Sequence, residues 1–151
     1  MTDHPIRIAI VTLGVTDLAR AAAFYEAMGL KRSRASQATI HFYDMDGVVL
    51  ALFPADMLAE DAGVPGAGEG FRRQTLAWNV PDPAAVDAGF ARVMAAGATS
   101  LKRPHTTAWG GYVGHFADTE GHLWEIAHNP FFPLHPSGAV SVPPPREGAK
   151  S

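Results

Sequence analysis

The fold is decided by residues 111–128, which read GYVGHFADTEGHLWEIAH. Two short runs rich in β-branched and aromatic residues predict strands at Gly111–Ala117 and Leu123–His128. The residues between them, Asp118-Thr119-Glu120-Gly121, have the composition of a turn. The preceding residues predict a strand at Gln74–Val80, a helix capped by Asp82 and stopped by Gly97, and a strand at Thr99–Arg103.

The first half of the chain repeats this order. Asp17 corresponds to Asp82 at an offset of 65 residues, and Gly47 corresponds to Gly121 at an offset of 74. The sequence therefore predicts two copies of one βαβββ unit. The first copy would contain a strand at Ile6–Val15, a helix capped by Thr16 or Asp17 and stopped by Gly29, and strands at Lys31–Ala35, Thr39–Tyr43 and Val48–Phe53.

This repeat predicts an α+β fold. Each unit alone leaves one sheet face uncovered, so we expect the two modules to pair and to bury both of these faces. We expect the proline-rich tail to pack on the domain, with a lid or dimer arm as the alternative. The predicted boundaries are a single domain at 1–130, with module one at 6–53, a linker at 54–73 and module two at 74–130, and the tail at 131–151.

The composition excludes several classes of protein. The chain has 151 residues, 12 Lys and Arg against 15 Asp and Glu, and a net charge of −3, so no basic excess favours nucleic acid or an anionic membrane. It contains no cysteine, which excludes disulfides and thiolate chemistry. Its first residues lack the pattern of a signal peptide, and no apolar run is long enough for a membrane span. We expect a cytoplasmic protein.

Two motifs carry a family resemblance. One is VTLGVTDL at 11–18, which continues into AFY at 23–25 and GL at 29–30, and the other is YVGHFADTEGHLWE at 112–125. Together with the tandem repeat they resemble the vicinal oxygen chelate superfamily over about residues 6–130. This superfamily includes glyoxalase I, bleomycin-resistance proteins, fosfomycin-resistance enzymes and extradiol dioxygenases. The resemblance implies that the modules pair into a curved mixed sheet around a cup-shaped cavity, with the helices outside. It also implies a small-molecule site in this cup, and it says little about the reaction.

The resemblance also implies where metal ligands would lie. Metal-dependent members of the superfamily take ligands from the first and last strand of each module. Of the equivalent positions only Glu125 is an ordinary ligand for a divalent ion, whereas such sites need three or four. We therefore expect neither a metal nor another cofactor. The four equivalent positions are Ile10, Ala51, Thr75 and Glu125.

Strand alternation predicts which side chains face the cup. His41 and His115 should point away from it, while His105 should lie in a long loop above it. Glu125 is the candidate catalytic residue, because it is a carboxylate in an otherwise apolar set. The candidate ligand-binding residues are Thr12, Phe42, Thr75, Asn79, His105, Trp109, Tyr112, Phe116 and Glu125.

The sequence leaves three functions open. The first is a metal-independent protein that binds an unknown small molecule in the cup. The second is a lyase or isomerase of the glyoxalase type, with Glu125 as general base or as part of an unusual metal site. The third is a scaffold protein whose cup is filled by side chains. Exposed sheet edges also predict a homodimer, with the modules paired either within or between chains.

Overall fold

The computed structural model of this protein describes residues 7–143. Residues 1–6 of the predicted domain and residues 144–151 of the predicted tail lie outside the described residues. The elements, in chain order, are β1 (Ile10–Val15), α1 (Leu18–Met28), β2 (His41–Asp44), β3 (Val49–Pro54), α2 (Ala55–Ala62), β4 (Leu76–Asn79), α3 (Pro83–Ala95), β5 (Thr99–Thr106), β6 (Tyr112–Ala117) and β7 (Leu123–His128).

The helices begin and end at the residues that the sequence indicates. Asp17 caps α1, because its Oδ1 accepts a hydrogen bond from the backbone N–H of Arg20 at 3.0 Å. Gly29 ends α1 with a φ of +117°, in the left-handed region that glycine adopts without steric cost. Asp82 caps α3 in the same way, and its Oδ1 accepts from the N–H of Ala85 at 2.7 Å.

The strands form two mixed sheets, which confirms the α+β class. The first sheet has the order β1-β3-β2, and the second has the order β4-β7-β6-β5. In each sheet the first strand of the repeat pairs in parallel with the last one, and the other neighbours are antiparallel. The strand predicted at Lys31–Ala35 is reduced to one bridge between Arg32 and Tyr43, so the first sheet has one strand fewer than the second.

One hydrophobic core joins the two modules. The helix-bearing faces of both sheets contribute to it, and α1 packs against both. The ring of Tyr25 on α1 lies 6.5 Å from Tyr43 of the first sheet and 6.1 Å from Trp124 of the second, measured between ring centres. The modules therefore meet through the faces that carry their helices.

Tyr25 also anchors a buried polar contact between the modules. Its hydroxyl donates to Oδ2 of Asp118 at 2.5 Å and accepts from Nε1 of Trp124 at 3.1 Å. Burial, and then the nearby carboxylate of Asp118, raise the pKa of Tyr25 far above its usual value, so the hydroxyl keeps its proton. Because Asp118 is itself buried, this contact satisfies a carboxylate that would otherwise lack solvation.

Asp118 also sets the length of the turn between β6 and β7. Its Oδ1 accepts from the backbone N–H groups of Glu120 and His122, and Ala117 pairs with Leu123 across a five-residue turn at 118–122. The equivalent hairpin of module one has four residues, 45–48, between its paired strands. The extra residue shifts β6 by one position, and a one-residue shift moves every side chain of a strand to the other face.

Because of this shift, the predicted side-chain orientation is wrong at three positions of β6. Phe116 pairs with Trp124, and their rings stack 6.2 Å apart in the core, so Phe116 does not face the cup side. Tyr112 also points to the helix-bearing side, where its hydroxyl donates to Oδ1 of Asp87 at 2.7 Å. His115 was expected to point away from Glu125, but it lies directly opposite Glu125 on the same face.

The linker and the tail have short regular segments. Residues 55–62 of the predicted linker form α2, which packs against β1 close to Gly14. In the tail, Leu134 and Val140 form a single antiparallel bridge. Between residues 7 and 143, no helix has both the length and the apolar character needed to cross a membrane.

We predict that Tyr25→Phe lowers the free energy of unfolding by about 1–3 kcal/mol, because it leaves Oδ2 of the buried Asp118 carboxylate without its donor. Chemical denaturation monitored by tryptophan fluorescence measures the change. Tyr112→Phe is the matched control, since it removes the solvent-exposed hydroxyl contact with Asp87 and should change stability little. Equal effects of the two variants would contradict the role assigned to Tyr25.

Candidate functional site

The candidate site lies on the face of the second sheet that is opposite α3. We call this the open face of that sheet, and strand pairing places one row of side chains across it. Ala77 of β4 is paired with Glu125 of β7, Glu125 with His115 of β6, and His115 with Lys102 of β5. Paired residues of neighbouring strands project from the same face. From one edge of the sheet to the other, the row therefore contains a methyl group, a carboxylate, an imidazole ring and an ammonium group.

His115 and Glu125 are in direct contact. Nε2 of His115 lies 3.3 Å from Oε2 of Glu125, and each side chain is 33 % exposed. Nδ1 of His115 is buried and has no hydrogen-bond partner within the described residues. A buried N–H without an acceptor is costly, so the proton of the neutral ring belongs on Nε2, on the side of the ring that faces Glu125. Glu125 is thus in close contact with the imidazole without accepting a hydrogen bond from it.

The neighbouring rows of the open face are mostly small or apolar. One contains Leu123, Ala117 and Thr99, and the other contains Ala127, Val113 and His105. Strand β5 has register irregularities on both sides of Lys102, between Ser100 and His105. Such bulges re-aim side chains and are common beside functional sites. Ala117, Ala127 and Val113 are buried, so Leu123, Thr99 and His105 supply most of the accessible surface beside the charged row.

The first sheet has an equivalent but apolar row. Thr12 pairs with Ala51, and Ala51 pairs with Phe42, on the face opposite α1. We call this the open face of the first sheet. Phe42 occupies the position that His115 occupies in the second sheet, and Ala51 occupies that of Glu125. The two predicted ligand-binding residues of module one therefore share a face with each other, as expected.

The remaining candidates lie at the margins of the second sheet. Thr75 is exposed just before β4, and Asn79 ends that strand. His105 lies within β5 rather than in a loop, and its Nδ1 is 2.8 Å from the carbonyl oxygen of Arg103. Trp109 is 50 % exposed in the loop before β6 and packs over Gly111. Of the predicted set, only Glu125 belongs to the charged row.

The donor set does not suit a divalent metal ion. Ile10 and Ala51 carry no donor atom, and Thr75 offers only a hydroxyl. In residues 7–143 no group of three or more His, Asp, Glu or Cys side chains is placed to hold a metal. His115 and Glu125 together supply two ligands, fewer than metal sites of this kind use.

Neither of the two main cavities includes the charged row. One, of about 370 Å³, is lined by residues that include Leu13, Arg72 and Leu123. The other, of about 650 Å³, lies between the tail and the ends of β4 and β7, with Asn79 and His128 in its wall. His115 and Glu125 are thus on a surface that a single chain does not enclose.

Comparisons with known proteins agree with the fold. The sequence profile of the Glyoxalase/Bleomycin resistance protein/Dioxygenase superfamily matches residues 7–126. No curated protein matches the chain.

Among solved structures, a glyoxalase-related enzyme from Fulvimarina pelagi has 37% sequence identity and a TM-score of 0.79, covering 89% of this chain and 96% of that one. A glyoxalase/bleomycin resistance protein/dioxygenase from Nocardioides has 25% identity and a TM-score of 0.69, covering 84% and 85%. A lactoylglutathione lyase from Agrobacterium tumefaciens shares the fold at 23% identity and a TM-score of 0.64, covering 83% and 96%.

We predict that the neutral ring of His115 carries its proton on Nε2. Long-range proton–nitrogen NMR correlations of the imidazole distinguish the two tautomers directly. In Glu125→Ala the ring loses the carboxylate that faces Nε2, so the preference for this tautomer should weaken. A proton on Nδ1 in the unmodified protein would contradict the contact described here.

Proposed function

Because the chain belongs to the Glyoxalase/Bleomycin resistance protein/Dioxygenase superfamily, we propose that it binds a small organic molecule on the open face of the second sheet, without a metal. The observation that carries this proposal is the contact between His115 and Glu125 on an otherwise small and apolar surface. A few placed polar groups on an apolar surface are the usual make-up of a ligand site. The poor donor set supports binding without a metal.

A second copy of the chain would enclose this site. The modules pack through their helix-bearing faces, so the two open faces cannot cover each other within one chain. Ile10, on the open face of the first sheet, is 52 % exposed, which is unfavourable for a large apolar side chain in water. Pairing the open face of one chain with that of another would bury Ile10 and close the ligand site, giving a homodimer.

A lyase or isomerase function is the second candidate. Nε2 of His115 lies beside Oε2 of Glu125, and the carboxylate is available to accept a proton from a carbon next to a carbonyl group. The Fulvimarina pelagi relative is described as a glyoxalase-related enzyme, which favours the same class of reaction. Incorporation of solvent deuterium into a bound carbonyl compound, lost in Glu125→Gln, would identify the protein as an enzyme rather than a binding protein.

We predict that Glu125→Gln weakens ligand binding about tenfold or more, because it removes a charged acceptor, a kind of hydrogen bond worth about 1.5–3 kcal/mol. A fragment library of small organic acids, alcohols and amides, screened by protein-observed NMR, provides the probes. Stability should change little, since glutamine keeps an acceptor oxygen for His115. Glu60→Gln, on the exposed side of α2, is the control and should bind normally.

Two results would contradict the proposed function. The first is fragment binding that leaves the amides of residues 115 and 125 unshifted. The second is binding that a metal chelator abolishes, which would show that a metal takes part.

We predict that the protein sediments as a dimer at micromolar concentration and that Ile10→Glu gives monomers. A charge on the open face of the first sheet would have to be desolvated on pairing. Val64→Glu alters a side chain that is also more than half exposed but lies in the linker, so it should remain dimeric. A monomeric unmodified protein, or equal effects of the two variants, would contradict closure by a second copy.

A further inference from the structure

Lys102 extends the charged row beyond the pair already described. Its pairing with His115 places it on the open face, on the side of the imidazole away from Glu125. Lys102 is exposed, and neither of the two ion pairs formed within the described residues involves it. A carboxylate and an ammonium group that has no ion-pair partner among residues 7–143 therefore lie on opposite sides of the imidazole.

The His115 ring separates these two charges. Adjacent strands lie about 4.8 Å apart, so the backbones of Lys102 and Glu125 are separated by roughly 10 Å. Nε2 of the intervening imidazole faces Glu125 at 3.3 Å from Oε2, and its Nδ1 is buried. Ala77 completes the row with a single methyl group, so no long side chain of the row covers Glu125 from the β4 side.

From this arrangement we propose that the ligand of the open face is an organic acid that also carries a hydrogen-bond donor. Its anionic group binds Lys102, its body lies over the ring of His115, and its donor reaches Glu125. This inference rests on the proposed function, because it names the class of molecule bound at that site. Charge decides the orientation, since the reverse placement would bring an anion against the Glu125 carboxylate.

The side chains around the charged row indicate what kind of uncharged group the ligand carries between its anionic group and its donor. The rows beside the charged one contain Ala117, Ala127 and Val113, which are buried, and Leu123, which is not, while the open face of the first sheet presents Phe42 and Ile10. A ligand held between the open faces of the two sheets would contact charged side chains along the charged row and apolar side chains on either side of it. A flat aromatic or short aliphatic acid satisfies both requirements.

Two probes that differ only in charge test the inference. Para-hydroxybenzoate has a carboxylate and a hydroxyl donor on opposite sides of a ring, and para-hydroxybenzamide replaces the carboxylate by a neutral amide. Dissociation constants are measured by NMR from the shifts of residues 102, 115 and 125, in the unmodified protein, in Lys102→Met and in Lys31→Met. Lys31→Met is the matched control, because Lys31 is also exposed and lies in module one.

We expect the unmodified protein and Lys31→Met to bind the carboxylate about tenfold or more tightly than the amide, as a charge-assisted contact implies. Lys102→Met should remove most of that preference while binding the amide as before. Equal affinity for the two probes, or a preference that survives in Lys102→Met, overturns the inference and leaves the proposed function standing. If neither probe shifts the signals of residues 102, 115 and 125, the inference is wrong. If, in addition, the fragments of the screen bind only away from the open face of the second sheet, the proposed function is wrong as well.

Discussion

The hydrogen bond between Tyr25 and Asp118 is the contact on which the rest of the structure depends. It joins a helix of module one to a turn of module two inside the shared core. The same carboxylate accepts two backbone N–H groups of its own turn, so one buried side chain both connects the modules and fixes the turn length. Loss of either set of hydrogen bonds would leave the buried carboxylate of Asp118 with too few donors, and an unsatisfied buried charge is among the costliest defects in a protein core.

The register of β6 follows from this contact and determines the chemistry of the open face. With a five-residue turn, Phe116 enters the core beside Trp124 and His115 meets Glu125. With the four-residue turn of module one, the positions would be exchanged, and an aromatic side chain would lie beside the carboxylate. The same buried residue that stabilises the fold thus places an imidazole rather than an apolar side chain beside Glu125.

Local patterns in the sequence were enough to predict the repeat, the helix caps and most strands. Asp17 and Asp82 cap their helices through contacts within three residues, so nearby residues suffice to predict them. The register of β6 could not be found in this way. Asp44 and Asp118 both precede a glycine by three residues, yet only Asp118 reaches a partner 93 positions away. The turn that Asp118 caps is one residue longer than the turn of module one, so the repeat itself suggested the wrong equivalence for β6.

The same limit applies to the candidate site. Alternation placed Glu125 on the face opposite Trp124, and that prediction holds because both residues lie on one strand. The partners of Glu125 depend on how neighbouring strands are aligned, so His115 was missed, and Lys102 was missed because β5 contains irregularities on both sides of it. The way in which the modules pack depends on side chains that are buried between elements far apart in the sequence.

The alignment of His115 with Glu125 can be measured directly, because the chain has no native cysteine. Residues directly opposite on antiparallel strands have Cα atoms about 4.5–5.5 Å apart, within the range that a disulfide spans. The double variant His115→Cys/Glu125→Cys should therefore form an intrachain disulfide on mild oxidation, whereas Phe116→Cys/Glu125→Cys should keep two free thiols. Mass spectrometry after thiol alkylation distinguishes the two states. A disulfide in the second variant and free thiols in the first would contradict the register on which the site depends.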